Sequence, residues 1–237
     1  EVDRQKQVRG FQEKPQLSGK RPVLASMGNY IFDTELLVEA LEEDVQRNTT
    51  HDFGRDIIPH LVKKKVKVFA YDFSGNRIPS LKEYEAKFYW KDVGTISSYW
   101  EANMDLLGSR PKLNLDNQEW PIYASHLNYP PAYVVHSQME NSLICEGAKI
   151  SGSQIKNSII GRAVEIKEGS MVENSIIMDF SRLERACRIK NTIVDRFNTI
   201  SKSTTVGYNK KVDGKDYYVD PAGIVVVRRG SRKAFYF

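Results

Sequence analysis

From residue 144 onward the apolar positions obey one spacing. Ile144, Ile150, Ile155, Ile160, Ile166, Val172, Ile177, Leu183, Ile189, Val194, Ile200 and Val206 follow one another at steps of five or six residues. An amphipathic helix repeats at about 3.6 residues and a half-buried strand at 2. A step near six, filled with β-branched residues, predicts a three-sided solenoid with one short strand on each face. Three such steps close a coil, so a longer repeat should ride on the shorter one. It does: Asn141-Ser142-Leu143-Ile144, Asn157-Ser158-Ile159-Ile160, Asn174-Ser175-Ile176-Ile177 and Asn191-Thr192-Ile193-Val194 recur at 16, 17 and 17 residues. Small, turn-forming residues (Gly147, Gly152, Ser153, Gly161, Gly169, Ser170) fall where the chain must bend. The inward Ile and Val then stack from coil to coil, which makes the module stable only as a set.

The first hundred residues follow another rule, with helix and strand signals alternating as in an α/β domain. Residues 23–32 are apolar and strand-like. Asp33 is placed to cap a helix over 34–41, with Leu37, Ala40 and Leu41 on one face. A second helix is predicted over 53–62, broken or started by Pro59, and 66–71 alternates like a strand. Thr95 can cap a third helix running to Leu107 and closed by Gly108. Four prolines (Pro111, Pro121, Pro130, Pro131) make 111–135 read as a linker, with Trp120 and Ile122 packed down. An α/β nucleotide-binding domain usually carries a glycine-rich phosphate turn after its first strand. None is present, so the first half of that domain, with its ATP-binding turn, is expected to lie outside these residues.

Composition narrows the partners. The 237 residues are 41% hydrophobic, enough for one large or two ordinary cores. There is no apolar run long enough for a bilayer and no secretory leader at residue 1, which predicts a cytoplasmic protein without a membrane partner. Net charge is +5, but the cations are scattered among 30 acids with no basic stripe, which argues against nucleic acid. Lys63, Lys64, Lys65 and Lys67 end a predicted helix, where cations complement the macrodipole. Cys145 and Cys187 sit in no metal-ligand spacing and read as small apolar residues.

Two segments carry candidate chemistry. Phe11-Gln12-Glu13-Lys14-Pro15 precedes Ser26-Met27-Gly28-Asn29-Tyr30-Ile31-Phe32, and Tyr89-Trp90-Lys91-Asp92-Val93-Gly94-Thr95 opens the third helix. Lys14 offers a compact ammonium and Glu13 a hydroxyl acceptor. Gly28 would let a ligand approach the backbone. Asp92 stands beside a helix start already capped by Thr95, which leaves its carboxylate for a metal.

These motifs, in this order, resemble the sugar-phosphate nucleotidyltransferases. His51-Asp52-Phe53-Gly54-Arg55-Asp56-Ile57-Ile58-Pro59, Trp120-Pro121-Ile122 and Pro130-Pro131-Ala132 before the repeats are similar to the ADP-glucose-forming branch in particular. The resemblance covers nearly the whole chain. It implies an α/β plus all-β architecture: an incomplete Rossmann-like nucleotidyltransferase domain over 1–110, a linker over 111–135 and a left-handed parallel β-helix of hexapeptide repeats over 136–237. The handedness comes from the resemblance alone.

It also implies a reaction. A phosphate oxygen of glucose 1-phosphate attacks the α-phosphorus of ATP, the bond to the β-phosphate oxygen breaks, and pyrophosphate leaves with ADP-glucose formed for glycogen. Two anions must meet, so positioning and charge neutralisation dominate. Lys14 and Asp92 would be the catalytic pair, with Glu13, Lys14, Ser26 and Gly28 on the sugar phosphate and Asp92 on Mg²⁺. Arg196 matches a position similar to the family's nucleotide-effector arginine, which implies allosteric control by sugar-phosphate or nucleotide effectors, and the family pattern implies a homotetramer. His126 and His136 have no arranged partner and read as structural. Two alternatives stand beside this: a non-catalytic regulatory subunit of the same family, and a hexapeptide-repeat acyltransferase. The latter usually places a histidine on a coil, and residues 141–206 contain none.

Overall fold

The computed structural model describes residues 1–11, 24–124 and 128–232. The chain divides into two compact units, Glu1–Arg77 and Ile78–Phe237.

The second unit is dominated by the predicted solenoid. Its strands alternate over three parallel sheets. One joins β1 (Tyr133–Val135), β4 (Lys149–Ser151), β7 (Glu165–Ile166), β10 (Arg182–Leu183) and β13 (Thr199–Ile200). The next joins β2 (Gln138–Glu140), β5 (Gln154–Lys156), β8 (Met171–Glu173), β11 (Arg188–Lys190) and β14 (Thr205–Val206). The third joins β3 (Leu143–Ile144), β6 (Ile159–Ile160), β9 (Ile176–Ile177), β12 (Thr192–Val194) and β16 (Val225–Val227), with β15 (Tyr218–Val219) antiparallel at its edge. The register puts like residues over one another, Ile150 over Ile166 and Ile155 over Val172. All but one of the twelve periodic residues are buried. The exception, Ile144, is partly buried because it belongs to the first coil, which has a neighbour on one side only.

The recurring tetrapeptide has a reason at each position. Asn141, Asn157, Asn174 and Asn191 all take the left-handed conformation, φ 46 to 47°. Asn adopts this turn more readily than most residues, because its short side chain bonds locally. Their amides form a ladder: Asn141 Nδ2 donates to Asn157 Oδ1 (2.7 Å), Asn157 to Asn174 (3.2 Å), and Asn174 to Asn191 (3.3 Å). The following hydroxyl works in both directions. Ser158 Oγ donates to Lys156 O (2.7 Å) and accepts from Ser175 N (3.1 Å), so a buried serine and a corner N–H satisfy each other. Outside, cations meet acids one coil away, as in Lys167–Glu184 (2.8 Å) and Arg182–Glu165 (2.7 Å).

The last two positions point to opposite faces. Ile160, Ile177 and Val194 face inward, whereas Ile159, Ile176 and Ile193 face outward. The outward row is covered by helix α3 (Ile96–Met104), which contributes Ile96, Tyr99, Trp100 and Met104. Trp100 Nε1 donates to Asn174 O at 3.1 Å. Helix α3 is shorter than expected. It ends at Met104, and Leu106 and Leu107 continue in tighter i→i+3 turns before Gly108 at φ 97°. Residues 109–124 are irregular and tied to earlier chain, with Ala86 N on Lys112 O (2.9 Å) and Asn117 Nδ2 on Pro79 O (2.8 Å). Trp120 and Ile122, expected to pack down, are more than half exposed. Neither belongs to an apolar core cluster among the described residues.

In the unit Glu1–Arg77, Asp33 accepts from Leu36 N and starts the helix Thr34–Val45, four residues longer than predicted. Its inner row is Leu36, Ala40 and Asp44, while Leu41 is exposed. The shift follows the small cluster it covers, built on Ala40, Ile57 and Leu61. The second predicted helix is a π-helical turn, Phe53–Ile57, continued by an α-helix, Ile58–Lys63, with Pro59 in its first turn. Neither predicted strand forms a ladder among the described residues. Residues 66–71 keep the alternating burial of a strand but share only two bonds with 6–8: Val8 N to Val68 O and Ala70 N to Lys6 O. Residues 24–32 bend at Gly28 and join no sheet among the described residues. Alternation shows that a segment can be a strand, and a partner is still needed to make it one.

Candidate functional site

Glu13, Lys14 and Pro15 lie outside the described residues, as does His126. Ser26 and Gly28 are exposed in the unit Glu1–Arg77, and the structure brings them together: Gly28 N donates to Ser26 Oγ at 3.2 Å. Gly28 has φ 74° and open space around a notional Cβ, so its conformation, not crowding, calls for glycine. The segment is held by its aromatics. Tyr30 stacks on Phe53 (5.7 Å between centroids), Phe32 lies 5.8 Å from the same ring, and Tyr30 Oη is 3.1 Å from Ser26 Oγ.

That gives the His51 to Pro59 motif a local role that its sequence did not disclose. Asp52 caps the π-helical turn through Arg55 N (2.8 Å), and Asp56 accepts from Thr50 N and Asp52 N. His51 Nδ1 lies 2.7 Å from Asp44 Oδ2. The His51 contact, with help from Thr49, holds the Asp44 carboxyl below its ordinary range, and the Thr50 hydroxyl does the same for Asp56. The motif's polar groups are thus spent on building the platform under Tyr30 and Phe32.

Asp92 is exposed, three residues before Thr95, the N-cap of helix α3, in the unit Ile78–Phe237. Thr95 and Ser98 form a reciprocal capping box, Ser98 N to Thr95 Oγ1 at 3.1 Å and Thr95 N to Ser98 Oγ at 3.2 Å. Asp92 is therefore not needed as the cap. Gly94 N donates to Asp92 Oδ1 (2.9 Å), and a Cβ at Gly94 would stand 3.1 Å from that oxygen, a tight contact with an exposed side chain. Asp92 Oδ2 accepts no hydrogen bond from a described residue and faces outward. No cluster of three metal-ligating side chains exists among the described residues, and Asp92 stands as a single exposed carboxylate.

Around Asp92 the sequence reading missed an anchor. Tyr89 and Lys91 point inward to Asp105, the C-cap of α3, and Lys112 reaches the same carboxylate. Burial alone would raise the Asp105 pKa, but the Lys112 and Lys91 ammonium groups outweigh it and lower the value. Burial would depress Lys91, and Asp105 with Glu101 reverses this. Burial, reinforced by Asp105, pushes the Tyr89 phenol up. The signal available in the sequence was the in-out alternation of Tyr89-Trp90-Lys91-Asp92.

Arg196 is exposed on the corner after β12, on a different element from Asp92, and no salt bridge joins its guanidinium to an acid among the described residues. The next residue, Phe197, stacks flat on Phe180 at 5.2 Å and carries the Arg229 guanidinium at 5.3 Å from its centroid. His136 occupies a left-handed corner, φ 49°, equivalent to Gly152 and Gly169, and is exposed. Cys187 is buried and Cys145 partly so, and burial raises both thiols. No helix among the described residues is long and apolar enough to cross a membrane.

The combination of a carboxylate-bearing helix start with a parallel β-solenoid defines a class. Residues 1–109 match the nucleotidyl transferase family, and 130–227 match the GlmU-like, C-terminal hexapeptide family. The chain is a nucleotidyltransferase segment followed by a hexapeptide β-helix. Within that class it is similar to glucose-1-phosphate adenylyltransferases of Thermodesulfovibrio yellowstonii (38% identical over 98% of this chain), Thermus thermophilus (44% over 98%) and Vibrio cholerae (46% over 99%). The similarity to these enzymes runs over nearly the whole length of the chain. It spans 57 to 60% of the length of these curated relatives.

Proposed function

We propose that this chain forms part of an enzyme that transfers the adenylyl group of ATP to glucose 1-phosphate, giving ADP-glucose and pyrophosphate for glycogen synthesis. The observation that carries the reading is Asp92: an outward carboxylate with one oxygen held by Gly94 and the other unclaimed among the described residues, in a chain related throughout to enzymes of that name. Bound Mg²⁺ would supply charge neutralisation at the nucleotide phosphates. Asp92 would hold it, Ser26 and the Gly28 backbone would contact the sugar, and Lys14 with Glu13 would hold the sugar phosphate. Arg196 would receive an anionic effector, consistent with its exposure on a corner of the solenoid. The same reading places the protein in the cytoplasm as a homotetramer.

The test is pyrophosphate release by the enzyme that carries this chain. Asp92→Asn should cut turnover by at least about a hundredfold while glucose 1-phosphate still binds. Near-full activity of that variant would remove Asp92 from the reaction. Arg196→Ala should leave basal turnover intact and flatten the response to effectors. An unchanged response would end that assignment.

A further inference from the structure

The run leading to Asp92 alternates in burial: Tyr89 and Lys91 are partly buried, Trp90 and Asp92 exposed. In extended backbone successive side chains leave on opposite sides, so whatever grips 89 and 91 sets the direction of 92. Both inward side chains reach one carboxylate, with Ala102 O (3.4 Å) a second acceptor for Tyr89 Oη and Glu101 Oε2 (3.3 Å) a second partner for Lys91. Lys91 Nζ lies 3.1 Å and Tyr89 Oη 3.3 Å from Asp105 Oδ2, and Lys112 Nζ lies 2.8 Å from Oδ1. The carboxylate is only 13% exposed. The knot closes through the backbone, with Lys112 N on Asp105 O (2.9 Å) and Ala86 N on Lys112 O (2.9 Å). Asp105 is the C-cap of the same helix whose N-terminus Asp92 precedes. The Asp92 loop is therefore fixed at both ends of α3, by Gly94 and Thr95 on one side and by Asp105 on the other.

We propose that Asp105 is a positioning residue: by holding Tyr89 and Lys91 it keeps the Asp92 carboxylate turned toward the reacting phosphates. This rests on the reading of Asp92 given above. Asp105 touches no reacting group itself, and its effect arises because a displacement near 1 Å of a catalytic group costs on the order of a hundredfold in rate.

The experiment has two arms. In the enzyme that carries this chain, Asp105→Asn should lower kcat for pyrophosphate release about ten- to a hundredfold. KM for glucose 1-phosphate should stay within about twofold, and Asp105→Glu should recover part of the loss. In the chain itself, trypsin should cut after Lys91 faster in Asp105→Asn, because an amide oxygen holds the Lys91 ammonium less tightly than the carboxylate and its one remaining acid is Glu101, 3.3 Å away. Faster cutting with kcat within about twofold of the parent would overturn the proposal. So would a loss of kcat and a rise of KM that merely track a lower melting temperature. If Asp105→Asn does not fold, Lys91→Met, which leaves Asp105 with Lys112, is judged by the same kinetic outcomes. Full activity of Asp92→Asn would sink the reading of Asp92 while leaving the trypsin result in place, so the two failures are distinguishable.

Discussion

From β1 to β14 each strand of the solenoid finds its partner 16 or 17 residues along the chain, in register and on the same face. In the unit Glu1–Arg77 the segments 24–32 and 66–71 have the composition of strands, yet among the described residues they form no ladder, and 66–71 shares two backbone bonds with 6–8. The first region supplies its own neighbours at a fixed offset, and the second depends on residues far away in sequence. The consequences show in their cores. The solenoid core is one continuous stack from Ala148 to Val227, whereas the buried centre of the other unit is Ala40, Ile57 and Leu61.

Five substitutions break or sharpen this contrast. The largest effect is expected at Gly207, where the chain leaves β14 at φ 85° and a Cβ would stand 1.6 Å from Lys190 O. The obstacle is backbone of the adjacent coil, so Gly207→Ala should cost more than about 4 kcal/mol in urea unfolding. A cost below 1 kcal/mol would show that stacked coils yield more easily than their register suggests. Next, Ile177→Ala should fall in the upper part of the range of about 2–5 kcal/mol for buried aliphatic truncations, and Leu61→Ala in the lower part. Coils above and below Ile177 cannot close on the cavity, whereas the partly buried side chains around Leu61 can. Equal costs in parallel melts would erase the distinction. The smallest effect belongs to the ladder. Asn174→Ala loses a bond on each side and places alanine at φ 47°, for about 2 kcal/mol in all. Asn141→Ala, at the ladder's end, should cost about half as much by thermal melting.

The contrast also explains what could be read from the sequence. The inward set Ile150 to Val206 was legible because a six-residue period maps directly onto a face, and so was the cap at Asp33, whose partner is three residues away. The outward row Ile159, Ile176 and Ile193 was missed. Two apolar residues in succession announce a strand covered on both sides, but only the position of α3 shows what does the covering. Asp92 could be singled out from the motif and the neighbouring cap. The Asp105 anchor could not, since Tyr89, Lys91, Asp105 and Lys112 are joined by geometry and not by any spacing. Leu41, Trp120 and Ile122 were expected to be covered and are exposed, because hydrophobicity says that a residue prefers cover without saying that a neighbour exists.

The fourth coil departs from the others at Gly207. The chain goes out through the short helix Lys210–Asp216 and strand β15, then returns so that Thr192, Ile193 and Val194 lie beside Val225, Val226 and Val227. Some eighteen residues are thus accommodated between β14 and β16 without disturbing the stack beneath them. That corner is a natural splice point, where a reporter or a foreign loop could be grafted while the coils on either side keep their places.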